Sequence, residues 1–166
     1  MTLPETPTIA PLCLKPEAEA RLDDLQARYP NKAATLLHVL WEIQWQEGWI
    51  SEAWMGYAAK RCGVPLSKVL GVVSFYTMYR TRPMGRHHVQ VCRNICCHIM
   101  GGNKILEHVE NKLGLHHGAV TSDGRFSLEE VECMAGCSWA PMMAINETYY
   151  ENLTVPVVDQ ILEGLK

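Results

Sequence analysis

From Glu17 to Tyr79 apolar residues return every three or four positions, the period of helices buried on one face. Glu17 to Tyr29 is charged and helix-forming, with Leu22 and Leu25 three apart, and Pro30 breaks it. Asn31 is placed to cap a helix that opens near Lys32 and runs to about Gln46. Leu36, Leu40 and Ile43 share one face of that helix, and Gly48 ends it. Ser51 caps a third helix through about Arg61, closed by Gly63 and Pro65. Ser67 caps a fourth that reaches about Tyr79. Before this run, the Pro-rich residues 1–16 show little periodicity and read as a flexible tail.

The period changes after Pro83 and Gly85. His88 to Val91 predicts a strand ending at Cys92. Gly101 and Gly102 precede a helical pattern of Ile105, Leu106, Val109 and Leu113, stopped by Gly114. Asp123-Gly124 is a turn signal, and Phe126 to Glu132 predicts a strand ending at Cys133. Met142 to Ile145 reads as a further strand with Tyr149-Tyr150 as a short partner. Thr154 caps a last helix that carries Val157, Val158, Ile161 and Leu162, with Pro156 in its first turn. The pattern thus divides the chain into a tail (1–16), a helical domain (17–82) and a domain of mixed strands and helices (83–166), an α+β class.

Composition narrows the function. The 166 residues are 48% hydrophobic, which suits a globular chain. A net charge of −3 offers no footprint for nucleic acid or for an anionic membrane surface. No apolar run approaches the roughly 20 residues that span a bilayer, and Met1 to Leu12 lacks the pattern of a signal peptide, so export is not expected.

The candidate chemistry is in the cysteines, at 13, 62, 92, 96, 97, 133 and 137. Clustered Cys in a chain without an export signal point to metal ligation or redox chemistry rather than structural disulfides. Cys92 and Cys97 have four residues between them, Cys133 and Cys137 three, and each pair follows an expected strand. Such loops aim several sulfurs and backbone N–H groups at one point, and Gly101, Gly102 and Gly136 permit tight backbone paths there. Four thiolates suit a 2Fe–2S core or a structural zinc ion. Zinc staples usually serve small, core-poor modules, and this chain has ample apolar residues. The absence of Cys-x-x-Cys weakens a thiol–disulfide reading. Spacing alone leaves Cys96 as an alternative to Cys97. Cys13 and Cys62 read as small packing residues, Cys62 in the core.

Several motifs occur in order: Gly48-Trp49-Ile50-Ser51, Gly71-Val72-Val73-Ser74-Phe75-Tyr76, Val91-Cys92 through Cys97-His98, Glu132-Cys133-Met134-Ala135-Gly136-Cys137 and Ala140-Pro141-Met142. The series resembles the 24 kDa iron–sulfur family of respiratory complex I, the bacterial NADH:quinone oxidoreductase, over roughly residues 17–166. The resemblance implies a thioredoxin-like second domain carrying one 2Fe–2S cluster on Cys92, Cys97, Cys133 and Cys137. His98 and Gly101 match the bacterial motif and favour Cys97 over Cys96. Where the family often has small hydroxyl residues, this loop reads Arg93-Asn94-Ile95-Cys96. The resemblance further implies electron transfer rather than self-sufficient catalysis. The implied partner is a flavoprotein subunit with FMN, a 4Fe–4S cluster and the NADH site, beside other peripheral-arm subunits. The implied place is the cytoplasmic side of the inner membrane, without direct lipid contact. Related subunits serve NAD-linked hydrogenases and formate dehydrogenases, and the isolated chain could form a homodimer. The sequence has no Gly-x-Gly-x-x-Gly dinucleotide turn of its own.

Three further features carry expectations. Trp41, Trp45 and Trp49 recur every four residues and read first as helix core, with a docking face as the sharper alternative. Arg80, Arg82, Arg86, Arg93, His87 and His88 form a basic cluster near the first cysteine pair, by default a solvated face. His98 could replace a thiolate, as His does in Rieske centres, but four Cys make that unnecessary. His116 and His117 read as surface loop.

Overall fold

The computed structural model describes residues 12–165. They fall into two compact units that divide between Pro83 and Met84. Of the stretch expected to be tail, residues 1–11 lie outside the described residues, whereas Leu14 is buried and Pro16 already opens a helix.

The first unit is helical: α1 (Pro16–Ala27), a 3-10 turn (Lys32–Thr35), α2 (Leu36–Glu47), α3 (Glu52–Cys62) and α4 (Leu66–Phe75). Asn31 caps as expected, its Oδ1 accepting from the Ala34 N–H at 3.2 Å, but the first turn it opens is 3-10 and the α-helix begins at Leu36. Ser51 accepts from the Trp54 N–H at 3.3 Å. Gly48 and Gly63 end α2 and α3 in the left-handed conformation that favours glycine. The fourth helix departs from expectation at both ends. Pro65 rather than Ser67 sits at its N-cap, and the extended backbone of Tyr76 stops it before Tyr79.

Leu22, Leu36, Val39, Leu40, Ile43, Ile50, Trp54, Met55, Ala58 and Val69 form the core of this unit. The side chain of Gln44 ties the chain beyond α4 back to α2. Its Nε2 donates to the Met78 carbonyl at 2.9 Å and its Oε1 accepts from the Arg80 N–H at 2.7 Å. Arg21 closes on the buried Glu42 with two hydrogen bonds, at 2.9 and 2.7 Å. The tryptophan series splits. Trp41 is half-buried against the core, Trp49 is half-buried, and Trp45 stacks on Trp41 with ring centroids 5.5 Å apart while facing solvent. Trp45 is therefore not a core residue, because the core face of α2 is occupied by Leu36, Leu40 and Ile43.

The second unit runs β1 (His87–Cys92), α5 (Ile95–Ile99), α6 (Gly102–Leu113), β2 (Phe126–Val131), a 3-10 turn (Cys137–Trp139), β3 (Met143–Ile145), β4 (Thr148–Tyr150) and α7 (Val155–Gly164). Its four strands order as β2-β1-β3-β4. β1 and β2 are parallel, with His87 opposite Phe126 and Cys92 opposite Val131. The crossover between them carries α5 and α6, since parallel neighbours cannot be joined by a tight turn. β3 runs antiparallel to β1 and β4 to β3. Asn146 closes the β3–β4 turn at φ 55°, accepts from the His88 N–H at 3.0 Å and donates to the Arg86 carbonyl at 3.1 Å. The core is Val89, Val91, Ile105, Val109, Phe126, Leu128, Met143, Ile145, Val158 and Leu162. Thr154 precedes α7 as expected but makes no side-chain capping bond. Helices followed by a mixed sheet give the α+β class read from the sequence. Among the described residues no helix is long and apolar enough to cross a membrane.

Candidate metal centre

Parallel pairing brings the ends of β1 and β2 to the same edge of the sheet. Cys92 is the last residue of β1, and Cys133 follows the end of β2 by two residues. The ladder continues one residue past β1, where the Arg93 N–H donates to the carbonyl of Val131, the last residue of β2, at 2.9 Å. Behind β1, Asn94 caps α5 through its Oδ1, which accepts from the Ile95 N–H at 2.8 Å. That short helix turns Cys97 inward, where it is buried with Cys92, Ala140 and Met142. Cys96, beside it on the helix, is half-buried at the margin of the same cluster.

The four sulfurs named from the sequence are gathered by this arrangement, in two pairs. Cys97 interacts with Cys92. The Cys133 and Cys137 Sγ atoms lie 3.7 Å apart, and both residues are exposed. Cys96 reaches Cys137, so five thiols meet at one end of the sheet. Among the described residues no three His, Cys, Asp or Glu side chains are grouped around a single metal-ion position.

Burial, and then the neighbouring Cys92, push the Cys97 thiol up to about 11, against the Met142 backbone amide, which favours the thiolate. Cys137 is pushed up to about 11 by its contacts with Cys133 and then Cys96. Without metal both sulfurs hold their protons, so ligation would release them. Backbone donors already address sulfur here: the Ala135 N–H donates to Cys133 Sγ at 3.3 Å. The Cys92 thiol donates to the Glu132 carbonyl at 3.3 Å.

Three glycines were expected to shape the loops, and they do so differently: Gly101, at φ 95°, takes the left-handed conformation just before α6. A Cβ on Gly102 would lie 2.7 Å from the Cys97 carbonyl oxygen and 3.3 Å from that of Cys92. Backbone atoms cannot give way there as a flexible side chain can. Gly136 would meet only the flexible end of Met142, and the left-handed residue in its loop is Ala135, at φ 61°.

Other expectations need correction. Cys62 is buried as expected, and burial raises its pKa, but Cys13 is exposed. His88 does not belong to a basic surface cluster. It is buried, with Nδ1 2.9 Å from Ser127 Oγ and Nε2 2.9 Å from Glu129 Oε2. Its position on β1 opposite Ser127 puts these groups side by side, and only the strand register, invisible in the sequence, reveals it. Arg93 is paired with Glu130 at 3.1 Å rather than merely solvated. His98 Nδ1 lies 3.2 Å from Asn103 Oδ1 on the exposed side of α5. His116 is exposed, as expected, and His117 accepts from the Glu130 N–H at 2.9 Å.

A short helical part, a parallel βαβ step closed by a hairpin, and thiol loops at the strand ends define a small thiol-bearing α/β module. The model of the thioredoxin-like [2Fe-2S] ferredoxin family matches residues 22–166, and the chain belongs to that family. The E-type component of NADH-quinone oxidoreductase from Mycobacterium tuberculosis is 34% identical over 161 residues, 95% of this chain. The chain spans only 64% of that relative's length. The second E-type component of the same enzyme in Rhizobium meliloti is 34% identical over 84% of this chain and 83% of its own. The fold also recurs in an NAD+-reducing [NiFe]-hydrogenase, with a TM-score of 0.60 over 90% of this chain and 23% of the hydrogenase chain, at 17% identity.

Proposed function

We propose that this chain is an electron-transfer subunit of an NADH:quinone oxidoreductase, holding one 2Fe–2S cluster on Cys92, Cys97, Cys133 and Cys137. The observation that carries the reading is the meeting of these four thiols as two pairs at the shared end of β1 and β2, in a chain of the thioredoxin-like [2Fe-2S] ferredoxin family. A two-iron core takes ligands pairwise from opposite sides, and an all-thiol donor set suits soft metal centres. Cys96 sits beside the set as a fifth thiol, outside it.

A bound 2Fe–2S core would take up and give back one electron at a time. The chain's own groups would set the energy of that exchange. The Ala135 N–H on Cys133 and the Met142 amide facing Cys97 favour negative charge on sulfur. The pairing of Arg93 with Glu130 reduces the positive potential that Arg93 alone would supply. Burial of Cys92 and Cys97 excludes water from one pair, while the exposed Cys133 and Cys137 leave the other open to a partner.

The electron partner in this reading is a flavoprotein subunit that binds FMN and NADH and carries a 4Fe–4S cluster. The assembly is the peripheral arm of the enzyme, on the cytoplasmic side of the membrane. The domain limits are 17–82 for the helical part and 83–166 for the cluster-bearing part. The test is low-temperature EPR of anaerobically purified, dithionite-reduced protein, with iron, sulfide and zinc analysis. One unpaired spin with about two iron and two sulfide per chain is the expected result. A silent spectrum with about one zinc per chain would replace this function with a structural zinc module.

A further inference from the structure

Of the five thiols gathered at the end of the sheet, Cys96 alone stands outside the proposed ligand set. Its surroundings set it apart from Cys13 and Cys62, which belong to the helical unit. Cys96 is half-buried, precedes Cys97 on α5 and reaches Cys137. Cys137 meets a second sulfur as well, with Cys133 Sγ 3.7 Å away. Three thiols therefore stand in series, Cys133 to Cys137 to Cys96, with Cys137 in the middle. Cys133 and Cys137 are exposed, so a small oxidant reaches them, whereas Cys92 and Cys97 are 3% and 2% accessible and shielded. The series also bridges two segments: Cys96 lies in the crossover after β1, Cys133 and Cys137 in the loop after β2.

Sulfurs in such contact exchange bonds. A thiolate attacks one sulfur of a disulfide, a new S–S bond forms, and the other sulfur leaves with the electron pair. The sulfur that best carries negative charge leaves most readily. In this series that sulfur is Cys133, which accepts the Ala135 N–H at 3.3 Å.

We infer that Cys96 is the resolving thiol of a redox latch: in the cluster-free chain a low-molecular-weight disulfide such as glutathione disulfide drives closure of a Cys96–Cys137 bond, which withdraws Cys137 from the ligand set. The consequence for loading rests on the cluster reading above; the bond itself does not. Cys133 thiolate attacks glutathione disulfide, giving a mixed disulfide and one glutathione thiolate. Cys137 thiolate attacks the Cys133 sulfur, and the second glutathione leaves. Cys96 thiolate attacks the Cys137 sulfur, and Cys133 leaves as the thiolate to which Ala135 donates. The protons lost by Cys137 and Cys96 pass to the two glutathione thiolates. Two protein thiols are thereby oxidised, and one glutathione disulfide is reduced to two thiols. While the bond stands, Cys137 offers no thiolate, the form in which Cys binds metal. A bound cluster occupies the same sulfur, so the loaded chain does not latch.

The test treats the cluster-free full chain anaerobically with glutathione disulfide. One portion is alkylated and mapped by peptide mass. The rest is offered a preassembled 2Fe–2S cluster by a scaffold protein in thiol-free buffer, with and without prior reduction. The mapped bond is expected to be Cys96–Cys137, with cluster uptake lost and then regained on reduction. Cys96→Ser is expected to shift the bond to Cys133–Cys137, and Cys137→Ser to form none within the chain. A Cys133–Cys137 bond in the unaltered chain, Cys96 recovered as a free thiol, a disulfide-linked dimer, or a bond within Cys137→Ser would each overturn the latch. A Cys96–Cys137 bond in a chain that takes up no cluster even after reduction upholds the thiol series and sinks the cluster reading instead.

Discussion

The two units solve different packing problems. The helical unit closes an apolar core and pairs several of its buried polar side chains internally, through Gln44 on Met78 and Arg80, Arg21 on Glu42, and Gln26 on Thr35. Its one buried thiol, Cys62, acts there as a small hydrophobe. The sheet unit has a comparable core under β1, β2 and β3, but it ends in a second, small cluster made largely of sulfur: Cys92, Cys97, Ala140 and Met142, with Cys96 and Met134 at the margin. The first unit buries its thiol among hydrocarbon side chains, whereas the second gathers its thiols beside one another, Cys92 and Cys97 buried and Cys133 and Cys137 exposed.

The largest break in that comparison comes from removing a thiol. Cys92→Ser is expected to abolish the EPR signal, whereas Cys96→Ser retains it. Hydrogen exchange should then show lost protection across residues 87–99 and 131–142 and none across α2 and α3. Equal loss in both units would erase the distinction between them. Next in size is the converse change. Ile43→Ala in the fully buried centre of the helical core should cost about 2–5 kcal/mol in denaturant unfolding. Spin per iron should stay constant.

Gly102→Ala probes the boundary between packing and site. The added methyl meets carbonyl groups of Cys97 and Cys92, so a cost of about 1–3 kcal/mol is expected, with less iron per chain. Normal iron content would show that the loop adapts.

The smallest effect is a pH dependence of the sheet unit. Hydrogen bonds from His88 first, and then from Gln90, hold the Glu129 carboxyl below its ordinary pKa despite its burial. Its folded pKa is below its unfolded one, so its stabilisation is fully present above the unfolded value and lost as pH falls through the lowered one. Acid unfolding of Glu129→Gln followed in β2 should therefore be shallower than that of the unaltered chain.

The periodic parts of this chain were legible because burial repeats. Leu36, Leu40 and Ile43 announced the core face of α2, and the run from His88 to Cys92, with Val89 and Val91 two apart, announced β1. Glycine and proline gave the stops. What escaped was short or non-local. A five-residue helix, α5, offers too few turns for a period to show, and only Asn94 before Ile95 hints at it. Ser67 is a good cap by type, yet Pro65 set the start two residues earlier. Trp45 obeys the four-residue spacing of its neighbours but lies past the width of the buried stripe. The partnership of His88 with Ser127 and Glu129 needs the β1–β2 register, which no local pattern encodes. In the candidate site, the spacing of the cysteines was visible in the sequence. Their division into two pairs was visible there too, whereas the burial of one pair, the exposure of the other and the reach of Cys96 to Cys137 came from the fold.

The parallel register of β1 and β2 has one more consequence. Cys92 faces the site only because it stands opposite Val131, and a slip of one residue along the ladder would send its sulfur through the sheet to the other side. A misaligned molecule could keep its helices, its mass and much of its circular dichroism while being unable to become coloured. In this reading the ratio of visible to ultraviolet absorbance grades a preparation by strand alignment, molecule by molecule, and any mutation that loosens the alignment shows first as pallor.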